Sequence, residues 1–152
     1  MIVCVCAFVL ASLVSAQDPH PADAPRHDLP PVIFTGFHAF RDKGAIEALR
    51  EWAKGGPIEG KPDVLIPIGS LRQAADKFGA FKDFDVLGMQ EISPRVRNYY
   101  LVLNYERGPL FAKFAMYRSE DAGWVLLGLT LDFDSAKVLP QPGTPALASP
   151  VD

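Results

Sequence analysis

The sequence predicts an α+β fold, with amphipathic helices coming first and packing on a curved four-stranded antiparallel β-meander. Two observations lead there. Apolar residues recur at helical spacing as far as about Phe78, and from Phe84 onward the period shortens to two. Short turn signals then separate four strand-like runs, and short links make consecutive strands antiparallel neighbours.

Residues 1–16, MIVCVCAFVLASLVSA, carry no charged side chain, and Val14 and Ala16 sit at the −3 and −1 positions of a small-residue cleavage site. This reads as a secretory signal peptide; a membrane span needs a longer run, roughly 20 apolar residues. The expectation is export, to a periplasm or outside the cell, with no membrane association after cleavage. Cys4 and Cys6 both fall in this segment, so the mature chain has no thiol for catalysis or metal binding.

Nine of the 14 prolines fall in two stretches, DPHPADAPRHDLPP (18–31) and PQPGTPALASPVD (140–152). Residues 17–32 are therefore expected as a Pro-rich disordered linker and 140–152 as a disordered tail, leaving 33–139 as one domain. If cleavage follows Gln17, His20 becomes third in the chain, but Pro19 ahead of it has no amide proton to give up to copper. The net charge of −3 is interspersed without a basic stripe, so no nucleic-acid partner is expected.

Within the domain, Phe34, Phe37 and Phe40 mark a helical face beginning near Thr35. In AIEALREWAKGGP, Ile46, Leu49, Trp52 and Ala53 form a second stripe, which Gly55-Gly56-Pro57 stops; Asp42 is its expected N-cap and Gly44 a break. DVLIPIGS is an apolar run interrupted by Pro67, which reads as an edge strand or extended segment. Ser70 and Gln73 then form a capping box for a short helix through Leu71, Ala74, Ala75 and Phe78, with Gly79 as C-cap. Strands are expected at 84–92, 96–106, 109–118 and 124–134, with turns at Ser93-Pro94, Arg107-Gly108 and 119–123.

Strict alternation assigns Tyr99, Leu101, Leu103, Tyr105, Leu110, Phe114 and Met116 to the core face, together with Val125, Leu127, Leu129, Leu131 and Phe133. On that register Leu127→Asp unfolds the domain. The opposite face is unusual, because it too carries aromatic and aliphatic groups: Tyr100, Val102, Phe111, Tyr117, Trp124 and Leu126, beside Lys113 and Asp132. A solvated face would alternate toward polar residues, and a contiguous apolar patch marks an interaction site. Three readings compete. Two copies pack face to face as a homodimer, which is the favoured one; the patch takes a small apolar ligand or a protein partner; or helices, the C-terminal tail or a strong twist cover it. Tyr100, Phe111, Tyr117 and Trp124 are the expected anchors, and Trp124→Asp is expected to weaken self-association while sparing the fold.

The order of TGFHAFRDKGAIEALREWAKGGP, SLRQAADKF and a meander ending in GWVLLGLTLDFD resembles the NTF2-like and cystatin-like α+β superfamily, small exported bacterial members included. The resemblance implies a cone-shaped cavity between helices and sheet, used for isomerase or dehydratase chemistry, ligand holding or protein contacts. In its enzymes an Asp or His in an apolar pocket moves a proton. No residue is assigned a catalytic role here, but His38 and Asp42 are candidates for a base and its orienting carboxylate; the plainer reading makes them a surface histidine and a helix cap. Asp132 and Asp134 share a strand face, so they could form a carboxylate pair, but they sit at its end and read rather as solvated strand-end acids or a counterion for Lys113. Ser70, Ser93 and Ser119 are cap and turn residues without a nucleophile elbow, GGPIEGK lacks phosphate-loop spacing, and His38 is the one histidine in the domain. Neither cofactor nor metal is expected. The resulting expectation is an exported, non-catalytic, homodimeric binding module. The alternative is a cofactor-free isomerase or dehydratase built on His38 and Asp42.

Overall fold

A computed structural model describes residues 29–61 and 65–140. The expected signal peptide, most of the N-terminal linker and residues 141–152 lie outside the described residues. Three helices, α1 (Pro31–Lys43), α2 (Ala45–Ala53) and α3 (Leu65–Phe78), precede four strands, β1 (Phe81–Ser93), β2 (Val96–Tyr105), β3 (Gly108–Ser119) and β4 (Gly123–Asp132). The sheet is antiparallel throughout in the order β1-β2-β3-β4, with the helices packed on one face, so the α+β meander is as expected.

α1 begins four residues ahead of Thr35, because Pro31 is preset for the first helical turn, where its missing N–H costs nothing. Leu29 is buried and Ile33 fully so, which extends the folded part into the expected linker. At Gly44 the backbone adopts φ 89°, a left-handed value that suits glycine. That single residue ends α1, donating its N–H to Phe40 O, and opens α2 by accepting from Ala48 N. Gly44 thus does the work expected of Asp42, which is exposed and bonded to Arg41.

On α2 the buried side chains are Ala48, Leu49, Trp52 and Ala53, whereas Ile46 is exposed. The Trp52 indole crosses to α1, where its Nε1–H donates to Ile33 O at 3.0 Å. The ring lies where a side chain on Gly36 would be. Its other faces meet Phe37 and Phe114 edge-on, with centroids 5.0 and 5.2 Å away, and Phe37 in turn stacks on Phe84 at 4.1 Å.

The segment LIPIGS is helical, contrary to the strand or extended reading. Pro67 is the third residue of α3, within the first turn, where N–H groups have no intrahelical acceptor. Ser70 consequently lies in the helix interior and caps nothing. Gly79, with φ 86° and its N–H on Ala75 O, closes the helix as expected.

The strands fall close to their expected spans, but the sheet is not regular. Register shifts leave Lys82, Leu87 and Ile92 of β1 and Leu127 of β4 without cross-strand partners. Each is a β-bulge, which bends a strand and increases its twist. In β4 the bulge also reverses the faces. Leu129 and Leu131 oppose Phe114 and Ala112 on the core side, as alternation requires; beyond the bulge, Leu126 opposes core Met116 and Val125 opposes Tyr117. Leu126 is 1% exposed and Leu127 39%. Assigning Val125 and Leu127 to the core face, and Leu126 and Trp124 to the other, is therefore wrong by one residue.

Two results follow for stability. Leu126→Asp should prevent folding, because it buries an unpaired charge, while Leu127→Asp should cost less than about 1 kcal/mol in a denaturant titration. The reverse order would restore strict alternation. Gly36→Ala should destabilise by about 2 kcal/mol or more, since overpacking against Trp52 exceeds the gain of about 1 kcal/mol in helix propensity; a neutral result would show that the indole can move aside.

Candidate functional site

His38 shares a face of α1 with Phe34, Phe37 and Arg41, at the spacing that aligns side chains along a helix. This face meets the start of β1, where Phe81 and Phe84 continue the apolar floor and Lys82 and Asp83 stand at the rim. The half-open groove between them has a volume of about 210 Å³. The deeper space between helices and sheet is packed with Phe37, Trp52, Phe84 and Phe114, so the expected cone holds aromatic rings there.

The candidate acid–base pair is not assembled. His38 is exposed, and its Nδ1 lies 3.1 Å from an Arg41 guanidinium nitrogen. Arg41 also donates through Nε to Asp42 Oδ1 at 3.3 Å, with both side chains more than half exposed. Four-residue spacing puts 38 and 42 near each other, but the guanidinium takes both as partners. Because arginine only donates, His38 Nδ1 is the acceptor and Nε2 carries the hydrogen.

Asp132 and Asp134 build the chain reversal after β4. Asp132 accepts from Asp134 N and Lys137 Nζ, and Asp134 accepts from Ala136 N to cap the 3-10 turn Ser135–Lys137. The backbone donor of Asp134, with Lys137 behind it, holds the Asp132 carboxyl below its usual range. Lys113 is not their partner; it lies between Tyr100 and Thr130, with no ion pair among the described residues. No group of three or more His, Cys, Asp or Glu side chains converges among the described residues.

The outer face of the sheet is ordered in cross-strand rows. Val102 faces Phe111, which is flanked in turn by Asp132; Asp85 closes the row on β1. Tyr117 lies between Val96 and Val125. Asn104 donates to both Asp83 and Asp85 at 2.8 Å, which holds the acidic edge in place. Phe111 and Tyr117 are half-buried, as is Val102. Tyr100 belongs to this face but is only 3% exposed, and its hydroxyl donates to Gln90 Oε1. Trp124 is on the opposite side: it packs against the core, with the Arg97 guanidinium 5.1 Å from its ring and Arg97 bound to Glu91. It leaves the outer-face anchors, and Trp124→Asp is no longer expected to spare the fold. A signal for this was present in the sequence, because Gly88 and Gly128 directly follow the bulged Leu87 and Leu127, and an isolated glycine inside a strand marks such irregularities.

On the inner face Tyr105 is buried beside Phe81 and Phe40, and its hydroxyl has no hydrogen-bond partner among the described residues. Burial pushes the phenol above its ordinary value of about 10. The folded state therefore favours the neutral form, which adds stability in full below pH ~10 and loses it as pH rises further. Tyr105→Phe should leave unfolding free energy unchanged or raise it by about 1 kcal/mol, and should lessen the loss above pH ~10; a clear loss at neutral pH would reveal a hydroxyl partner. Comparison of the chain with protein-family models, curated proteins and solved structures finds no match.

Proposed function

We propose that this chain is an exported, non-catalytic binding module of NTF2-like or cystatin-like architecture, working as a homodimer through the outer face of β2 and β3. The observation that carries the reading is the Val102–Phe111 pair, with Tyr117 on the same face, on the side of the sheet opposite the helices. Apolar groups of this size on adjacent strands favour burial against a second surface. An isologous contact lets one face cover its own copy.

Charge supports the same pairing. Lys113 has no carboxylate partner among the described residues, and Asp85, held only by the neutral Asn104 amide, ends the neighbouring row, so a two-fold contact can bring Lys113 of one copy to Asp85 of the other. A stable dimer buries on the order of 800 Å² per partner, more than three side chains provide. Asn98 and Thr130 therefore take part as the polar surround. Export rests on the composition of residues 1–16, and no helix among the described residues is long and apolar enough to cross a membrane. Proton-transfer chemistry has less support, since Arg41 engages both His38 and Asp42.

Sedimentation and intact mass of protein recovered from an export host test the proposal together. The expected species is a dimer lacking residues 1–16, and Phe111→Asp should weaken association at least tenfold with unchanged circular dichroism. A monomer at all concentrations, or a variant that associates as tightly as the parent, would sink the dimer. Retained residues 1–16 would sink export by cleavage, and a monomer with added mass would turn the outer face into a ligand surface.

A further inference from the structure

We infer that the groove between α1 and the start of β1 is a binding site for a small aromatic carboxylate. It is separate from the proposed dimer face and does not depend on it. The floor is made of phenyl rings: Phe37 stacks on Phe84 at 4.1 Å and on Phe81 at 5.9 Å, and Phe34 meets Phe84 edge-on at 5.8 Å. A planar ring laid on them gains offset-stacked or edge contacts. The groove's volume of about 210 Å³ falls below the roughly 300–1,000 Å³ that holds drug-sized molecules, which suits an occupant with a single ring.

The rim selects the charge. Its one carboxylate, Asp83, already accepts from Asn104, and Lys82 is taken by Glu106 at 2.7 Å. Arg41 holds only a single-nitrogen contact to exposed Asp42 and a donation to His38, which leaves guanidinium N–H donors free. His38 presents Nε2–H by the same bond that makes its Nδ1 an acceptor. The donors of Arg41 and His38 match a carboxylate, Asp83 is tied to Asn104 through one oxygen, and an exposed 3.3 Å ion pair is readily exchanged for a bidentate one. The groove follows the edge strand beside the Lys82 bulge, outside the ring-filled interior.

The test is an NMR titration of the full chain with phenylacetate, with neutral phenylacetamide as the matched control. Phenylacetate should bind saturably at millimolar concentration or below, shifting resonances of Phe34, His38 and Phe81, and phenylacetamide should bind at least tenfold more weakly. Arg41→Gln and His38→Ala change exposed positions that the core does not use, so they should fold normally and weaken phenylacetate binding, the arginine variant at least tenfold. Equal affinity for acid and amide would overturn the charge selection. No saturable binding, shifts centred on the outer sheet face, or an Arg41→Gln variant that binds like the parent would overturn the site.

Discussion

Trp52 reaches from α2 across the groove between two helices, gives its indole N–H to the carbonyl of Ile33 and occupies the space left by Gly36. Three elements depend on this arrangement. α1 and α2 are joined by the single residue Gly44, so the indole fixes the angle between them; its edge then seats both helices on β3 through Phe114. A fully buried tryptophan removes about 150–250 Å² from water, worth about 4–6 kcal/mol as an upper estimate. The buried N–H needs its acceptor just as much, since losing it would leave a polar group dry. Phe37 is the next link outward: placed by Trp52, it stacks on Phe84 and so sets where α1 meets the first strand and where the groove opens.

The sheet carries the second constraint. Three bulges in β1 and one in β4 put the irregularities on the two edge strands, while β2 and β3 pair without interruption. Bulged edges twist away from neighbours and discourage open-ended strand addition. Leu87, Ile92 and Leu127, three of the four exposed large hydrophobics among the described residues, are the bulge residues themselves. Their exposure follows from local backbone geometry, whereas that of Phe111 and Val102 does not: those two sit on the regular central strands. This contrast is why the outer face of β2 and β3, and not the edges, is the surface proposed for the homodimer.

Much of this fold was legible because its signals are local. Period-two alternation and Arg107-Gly108 place β2 and β3 within a residue or two, and Gly79 ends α3 where its backbone conformation requires. The failures came from residues whose meaning depends on position within an element. Pro67 breaks a strand and the middle of a helix alike but is harmless in a first turn, so the same residue that argued for an extended segment is compatible with α3 starting at Leu65. Asp42 has a capping side chain, but Gly44 already supplies the backbone turn. In β4, one unpaired leucine exchanged Trp124 and Leu126 for Val125 across the sheet, and nothing but Gly128 hinted at it. The candidate site was legible in half: Phe111 and Tyr117 are on the expected face, Tyr100 is there but buried, and the four-phenylalanine groove forms only when α1 meets β1.

The proposed homodimer covers the outer face of β2 and β3 with a second copy of itself. Oxidative footprinting of aromatic side chains at low and high protein concentration reads that directly, residue by residue. The account predicts that Phe111 and Tyr117 lose reactivity as concentration rises while Phe34 and Phe40, on α1, keep theirs. Reactivity at Phe111 and Tyr117 that is independent of concentration, or protection that appears on α1 instead, would contradict it.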